Sequence, residues 1–183
     1  MDLRPLLFVG LLALACAGLT SPPERPYRVS GMASTPVRLG GEKGSESHVV
    51  QLDEGVEYIV QAAEASGVVR LRTVVRNGSR YPVRYDVQRL VVAAADGGVL
   101  RFVGTEEEPS SRPTDAERAP EGYLRGIRVI APGQRIAVTR RCVLADGLRL
   151  GRDPLLLSRL SLEDSVRVGD RDVGAALRLV QAR

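Results

Sequence analysis

The chain contains no tryptophan and very few other aromatic residues. Only 4% of its 183 residues are aromatic, whereas 44% are hydrophobic and 26% are charged. These last two fractions are ordinary for a globular domain. A core without large rings must be built from aliphatic side chains, so the composition predicts a domain packed mainly with Val, Leu, Ile and Ala.

Histidine, cysteine and methionine are also scarce. His48 is the only histidine, and there are two cysteines and two methionines, one of them the initiator. A single histidine cannot build a transition-metal cage, and two methionines cannot build a methionine-rich copper site. The chain also lacks a Gly-rich phosphate loop, a Gly-x-Ser-x-Gly elbow and a His-Glu-x-x-His motif. We therefore expect no cofactor, no metal and no enzymatic activity.

Cys142 is the cysteine that lies within the body of the chain. It alternates in phase with Ile136 and Val138, which predicts a buried structural thiol, although Arg140 interrupts that face. The alternatives are an intermolecular disulfide and a nucleophile that uses His48 as its base.

The other cysteine, Cys16, follows a short apolar segment. Arg4 precedes the uncharged run 5–15, which is too short for an ordinary membrane-spanning helix of ~20 residues. The pattern is typical of a secretory signal. The residues Leu12-Ala13-Leu14-Ala15-Cys16 closely resemble the lipobox of bacterial lipoproteins.

This resemblance implies cleavage before Cys16 and attachment of lipid to it. Residues 1–15 are then the signal peptide, 16–26 a lipidated cysteine with a flexible tether, and 27–183 one domain. Ala17 stands where Asp would favour the inner membrane in Gram-negative lipoproteins. That points to the outer membrane, facing the periplasm, if the source is Gram-negative. The alternative is an ordinary signal peptide in which Cys16 is incidental.

Beyond the tether, the hydrophobic period is two. In the run 68–76, Val69, Leu71, Thr73 and Val75 alternate with arginines, and Val74 is the exception. Asn77-Gly78 and Pro132-Gly133 mark turns. We expect 68–103 to form three consecutive antiparallel strands with a bulge near Arg89. Further strands are expected at 46–52, 56–64, 126–131, 134–144 and 173–181.

Two segments depart from this pattern. Residues 104–122 contain six acidic residues and three prolines, which predicts a mobile surface loop. Its carboxylates could in principle hold calcium, but they lack the spacing of a calcium loop, so a solvated loop is the favoured interpretation. The leucine-rich stretch 153–164 could form a short helix capped by Asp153.

The predicted fold class is therefore all-β: an antiparallel β-sandwich with one candidate short helix. The stretch 68–100 reads VVRLRTVVRNGSRYPVRYDVQRLVVAAADGGVL. It resembles the core of immunoglobulin-like domains in small envelope lipoproteins, the YcfL-like group among them. That resemblance implies that the sandwich is immunoglobulin-like, but it carries no site.

One cationic surface is a candidate binding site. If 68–76 and 83–89 pair as a hairpin, four arginines share one face and form a candidate anion-binding patch: Arg70, Arg72, Arg76 and Arg84. The alternative is the solvated side of a sheet. The net charge of +4 is modest, and nucleic acid is not an expected partner of an exported protein.

Together these features predict a non-enzymatic, membrane-anchored envelope lipoprotein. Its expected partners are the membrane, through the lipid on Cys16, and an envelope protein or anionic polymer. The alternative from another class is an envelope hydrolase or thiol enzyme that uses Cys142.

Overall fold

The computed structural model describes residues 23–30, 35–37, 46–108, 126–144 and 157–182. These residues form β-strands almost throughout, with one short 3-10 turn at 157–158. The strands are β1 Arg25–Ser30, β2 Thr35–Val37, β3 Ser47–Asp53, β4 Val56–Ala65, β5 Val68–Asn77, β6 Val83–Asp86, β7 Val91–Ala94, β8 Leu100–Glu108, β9 Ile127–Ile130, β10 Arg135–Leu144, β11 Arg159–Asp164, β12 Val166–Val168, β13 Arg171–Asp172 and β14 Ala175–Gln181.

The strands make two antiparallel layers. The first layer follows the order β3–β4–β5–β10–β8, with β2 beside β3. The second layer contains β14, β11 and β7, together with the four-stranded sheet β13–β12–β6–β9. The predicted all-β class and antiparallel sandwich are therefore confirmed.

β1 joins the two layers by changing its partner along its length. Its first two residues, Arg25 and Pro26, pair with β4 of the first layer, and the residues from Tyr27 to Ser30 pair with β14 of the second. β1 thus begins at Arg25, two residues before residue 27, where the domain was predicted to start after the tether. Pro26 fits in a strand here because its carbonyl oxygen accepts a hydrogen bond from the Ala182 amide at 2.8 Å, whereas its nitrogen has no hydrogen to donate.

Period-two alternation builds the core between the layers. In β5, Val69, Leu71, Thr73 and Val75 are all buried against the second layer, as predicted. Val74 points to the opposite face but is also buried, in a small outer cluster with Ile59 and Ala137. The main core contains buried apolar residues from both layers, with Val and Leu as the commonest members.

The predicted pairing of β5 with β6 is wrong. β5 pairs with β4 and β10, whereas β6 belongs to the second layer and pairs with β9 and β12. Asn77 explains the crossover, because its buried side chain donates hydrogen bonds to the carbonyl oxygens of Tyr81 and Ile130, each at 2.8 Å. Its amide thus ties the end of β5 to the connection and to β9, instead of closing a two-residue hairpin.

Two other pairs of consecutive strands are also separated in the fold. β6 and β7 lie in different sheets. Residues 87–90 are not part of a strand, whereas a bulge near Arg89 within one continuous strand was expected. The Pro132-Gly133 turn joins β9 to β10, but these two strands do not pair with each other. The turns at Asn77-Gly78 and Pro132-Gly133 therefore each carry the chain from one layer to the other.

The candidate helix at 153–164 is wrong from Arg159 onward. β11 pairs with β14 and β7, and its Leu160 and Leu162 are buried while Ser161 is exposed. The alternation in this half of the segment is that of a strand, and the leucine-rich first half obscured it. Residues 153–156 lie outside the described residues.

Candidate functional site

The four arginines of the predicted anion-binding patch do not share a face. Arg70, Arg72 and Arg76 lie on the outer face of β5, in the first layer, whereas Arg84 lies on β6, in the second. The three arginines on β5 form ion pairs, with Glu24 at 3.5 Å, Glu108 at 2.7 Å and Glu57 at 3.4 Å respectively. Their charges are therefore partly balanced within the protein.

The acidic segment is also more ordered at its start than the sequence predicts. β8 continues to Glu108, so residues 104–108 form a strand paired with β10 and are not part of a mobile loop. Glu106 and Glu107 form ion pairs with Arg141 at 3.0 Å and Arg128 at 2.9 Å. Each of the three consecutive glutamates thus pairs with an arginine of a different strand: Glu106 with β10, Glu107 with β9, and Glu108 with β5. Residues 109–122 lie outside the described residues.

Calcium binding finds no support in this part of the chain. Among the described residues, no group of three or more His, Cys, Asp or Glu side chains is arranged to hold a metal ion. The remaining candidate ligands, Asp115, Glu117 and Glu121, lie outside the described residues.

Cys142 is fully buried, as predicted. The residue is 0% exposed, and burial raises the pKa of its thiol to about 12, although the nearby Arg140 cation opposes this rise. The thiolate, which is the reactive form, is therefore strongly disfavoured at neutral pH.

His48 is buried as well, but it lies far from Cys142. It sits on β3, three strands away from β10, which corresponds to roughly 14 Å across the layer at ~4.8 Å per strand. The paired residues show that His48 lies level with Val138, four residues along β10 from Cys142. The two side chains therefore do not form a hydrogen-bonded nucleophile and base. Neither ring nitrogen of His48 has a hydrogen-bond partner among the described residues, and burial lowers its pKa.

The most unusual feature of the core is a buried charged cluster centred on Arg140. Arg140 stays in phase with Val138 and Cys142, and only 1% of it is exposed. Its guanidinium donates hydrogen bonds to Thr73 Oγ1 at 3.0 Å, Tyr85 OH at 3.1 Å and the Val87 carbonyl oxygen at 2.8 Å. Such a cation is stable in a core only when its donors are satisfied and a negative charge lies nearby.

Asp164 supplies that negative charge. Its Oδ2 accepts hydrogen bonds from Tyr58 OH at 2.7 Å and Tyr85 OH at 2.8 Å, and its Oδ1 accepts one from the Ser165 amide at 3.0 Å. Burial raises the pKa of Asp164, and these hydrogen bonds and the Arg140 cation oppose the rise. The Tyr85 hydroxyl therefore lies between the buried cation and the buried carboxylate, and it is bonded to both.

The two tyrosines keep their protons in this cluster. Burial and the Asp164 charge raise the pKa of both Tyr58 and Tyr85, so each hydroxyl remains a donor to the carboxylate. The cluster connects β4, β5 and β10 of the first layer with β6 and β11 of the second. Since its members are all buried, its evident chemical role is to hold the two layers in one register.

This cluster was not predicted from the sequence, although a signal for it was present. Arg140, Thr73 and Asp164 are polar residues at inward-facing positions of otherwise apolar alternating strands. Inward polar residues on several strands indicate a shared network, because each would be costly to bury alone.

No family model matches the chain, and no curated protein matches it significantly. Within the described part of the chain, no helix is long and apolar enough to cross a membrane. The functional interpretation therefore depends on the residues themselves.

Proposed function

We propose that this protein is a lipid-anchored envelope protein whose β-domain acts as a non-enzymatic binding or structural module. The observation that carries the proposal is the apolar run that ends in Leu12-Ala13-Leu14-Ala15-Cys16. Two or three acyl chains on Cys16 would hold the protein at a membrane without a spanning helix, since each buried methylene contributes ~0.8 kcal/mol.

The spacing between Cys16 and the first strand supports this arrangement. β1 begins at Arg25, and the intervening stretch includes Pro22 and Pro23. Such a segment reaches at most ~3.4 Å per residue, so the domain would remain within about 30 Å of the lipid surface. Ala17 after the cysteine favours the outer membrane of a Gram-negative envelope. The resemblance of 68–100 to YcfL-like domains fits the same setting.

The chemistry of the core supports a non-enzymatic role. The thiol of Cys142 is inaccessible and far from His48, and the strongest charged cluster is enclosed between the layers with its hydrogen bonds made internally. These groups are suited to stability, so we place the functional contacts on the outer surface of the domain.

The proposal is tested by metabolic labelling with an alkyne analogue of palmitate, combined with membrane fractionation. The wild-type protein is expected to be labelled and membrane-bound. Cys16→Ser should lose the label and move to the soluble envelope fraction, because no other strong anchor is visible in the sequence.

Cys142→Ser is the matched control, since it removes the other cysteine. It should keep both the label and the membrane location. Equal labelling of wild type and Cys16→Ser would contradict the proposal.

A further inference from the structure

The outer face of the second layer carries a surface depression of about 680 Å³. It lies over β1, β14 and β11, near the end of β7. The lining includes two arginines and two serines with exposed side chains: Ser30, Arg159, Ser161 and Arg178.

Strand register brings these polar side chains together. Arg178 of β14 pairs with Ser30 on one side and Ser161 on the other. Two residues further along β14, Val180 faces the same side and pairs with Arg28 of β1 and Arg159 of β11. Directly paired side chains lie about 5 Å apart and diagonal ones about 7–8 Å apart, so the arginine side chains can reach a common ligand.

The two arginines that line the depression lack acidic partners within the described parts of the chain. Arg28 forms an ion pair with Glu46 at 3.0 Å, but within the described residues neither Arg159 nor Arg178 has a carboxylate within ion-pairing distance. The nearest acid on the same face of β11 is Glu163, which pairs with Ala176. This differs from the outer face of β5, where Arg70, Arg72 and Arg76 all have acidic partners. Neighbouring like charges repel, so an anion bound between Arg159 and Arg178 would be favourable.

We propose that this depression binds a phosphate-bearing group, through the guanidinium groups of Arg159 and Arg178 and the hydroxyls of Ser30 and Ser161. Arginine matches phosphate with two parallel hydrogen bonds, and serine hydroxyls donate to the remaining oxygens. Two sources share this chemistry: a phospholipid headgroup and a soluble organic phosphate.

The depression lies on a part of the domain that a membrane headgroup could reach. Arg28 and Ser30 belong to β1, the first described strand after the proposed lipid anchor. Only the choice of a headgroup depends on the proposed anchoring at Cys16. The phosphate site itself does not depend on it.

The test uses the full-length Cys16→Ser protein and calorimetric titration at low ionic strength. The probes are glycerol 3-phosphate and dihexanoyl phosphatidylglycerol below its micelle concentration, with glycerol as the uncharged control. Arg159→Gln and Arg178→Gln should each weaken phosphate binding about tenfold, since a hydrogen bond to a charged group is worth roughly that factor. The melting temperature should stay the same, because both side chains are exposed.

Arg84→Gln is the matched control, because it removes an exposed arginine from β6 of the same layer. It should change the affinity less than twofold. Tighter binding of the lipid would identify a headgroup site, and tighter binding of glycerol 3-phosphate would identify a soluble ligand.

Absence of binding by both probes would overturn the proposal, as would equal weakening by Arg84→Gln. A failure of lipid labelling at Cys16 would leave the phosphate titration unaffected. The two proposals therefore fail separately.

Discussion

Replacing Arg140 by Met should destabilise the domain strongly. Methionine has a similar length and keeps the apolar stem packed, but it removes the charge and all the donors. Thr73, Tyr85 and the Val87 carbonyl would each lose a hydrogen bond from the guanidinium. The change therefore isolates the polar role of Arg140 from its volume.

The magnitude follows from what the substitution leaves behind. Asp164 would remain buried without the Arg140 cation, which is bonded to the same Tyr85 hydroxyl. Removing one partner of a buried charge pair typically costs ~3–5 kcal/mol. This is a large part of the ~5–15 kcal/mol that stabilises a natural domain.

Urea unfolding of the purified protein is the appropriate assay. With a slope of about 2 kcal/mol per molar urea, the midpoint should fall by about 2 M. Arg141→Met is the matched control, because the neighbouring residue points outward and pairs with Glu106 on the surface. It should change the unfolding free energy by less than about 0.5 kcal/mol.

A double-mutant cycle with Asp164→Asn tests the coupling directly. If the two charges stabilise each other, Arg140→Met with Asp164→Asn should cost less than the sum of the single changes, by roughly 1–3 kcal/mol. Additive losses would refute the coupling. A loss from Arg140→Met no larger than that from Arg141→Met would refute the reasoning about burial.

Three further predictions concern stability and reactivity. Cys142 in the native protein should resist alkylation at neutral pH, as measured by thiol labelling, and rapid labelling would contradict this. Cys142→Ala should lower the free energy of unfolding by about 1 kcal/mol in urea, because a small cavity forms. Folding raises the pKa of the Cys142 thiol. The protonated thiol therefore contributes its full stabilisation of the folded state below the unfolded pKa of about 8.5, and this stabilisation is lost as the pH rises towards about 12. Wild type should therefore lose about 1.4 kcal/mol per pH unit relative to Cys142→Ala above pH 9, and parallel pH profiles would argue against a buried thiol. Gly55→Ala should lower the free energy of unfolding in urea by more than 1 kcal/mol. Gly55 has a φ of +75°, and an added Cβ would lie 2.8 Å from the Gly78 carbonyl carbon. Gly133→Ala is the control that separates backbone strain from this clash, because Gly133 also has a positive φ but has open space around it.

Local patterns in the sequence were sufficient to predict most strands. β5 shows why, since its inward side chains alternate without a break from Val69 to Val75, with arginines and Val74 on the other face. The burial of Cys142 follows from the same alternation in β10. These features depend only on the side-chain period of a strand, which is visible within a few residues.

Strand pairing could not be predicted in the same way. A turn dipeptide such as Asn77-Gly78 does not say whether the next strand joins the same layer, and here the buried Asn77 amide directs the chain to β9. The start of β1 was missed because prolines dominate the preceding residues, although Pro26 needs no amide hydrogen at its position.

The candidate sites depended on contacts distant in sequence. Arg140 and Asp164 belong to strands that do not pair, and only the packing of the two layers brings both to Tyr85. The phosphate-binding depression likewise needs β1 and β11 on either side of β14. The proposed lipid anchor is different, because the pattern that predicts it is local and lies within residues 1–16.

The most direct test of the proposed function is the mass of the mature N-terminal peptide. The protein is purified from membranes, digested and analysed by mass spectrometry. We expect the peptide to begin at Cys16 and to carry the mass of at least two acyl chains. An unmodified peptide that begins after Cys16 would contradict it.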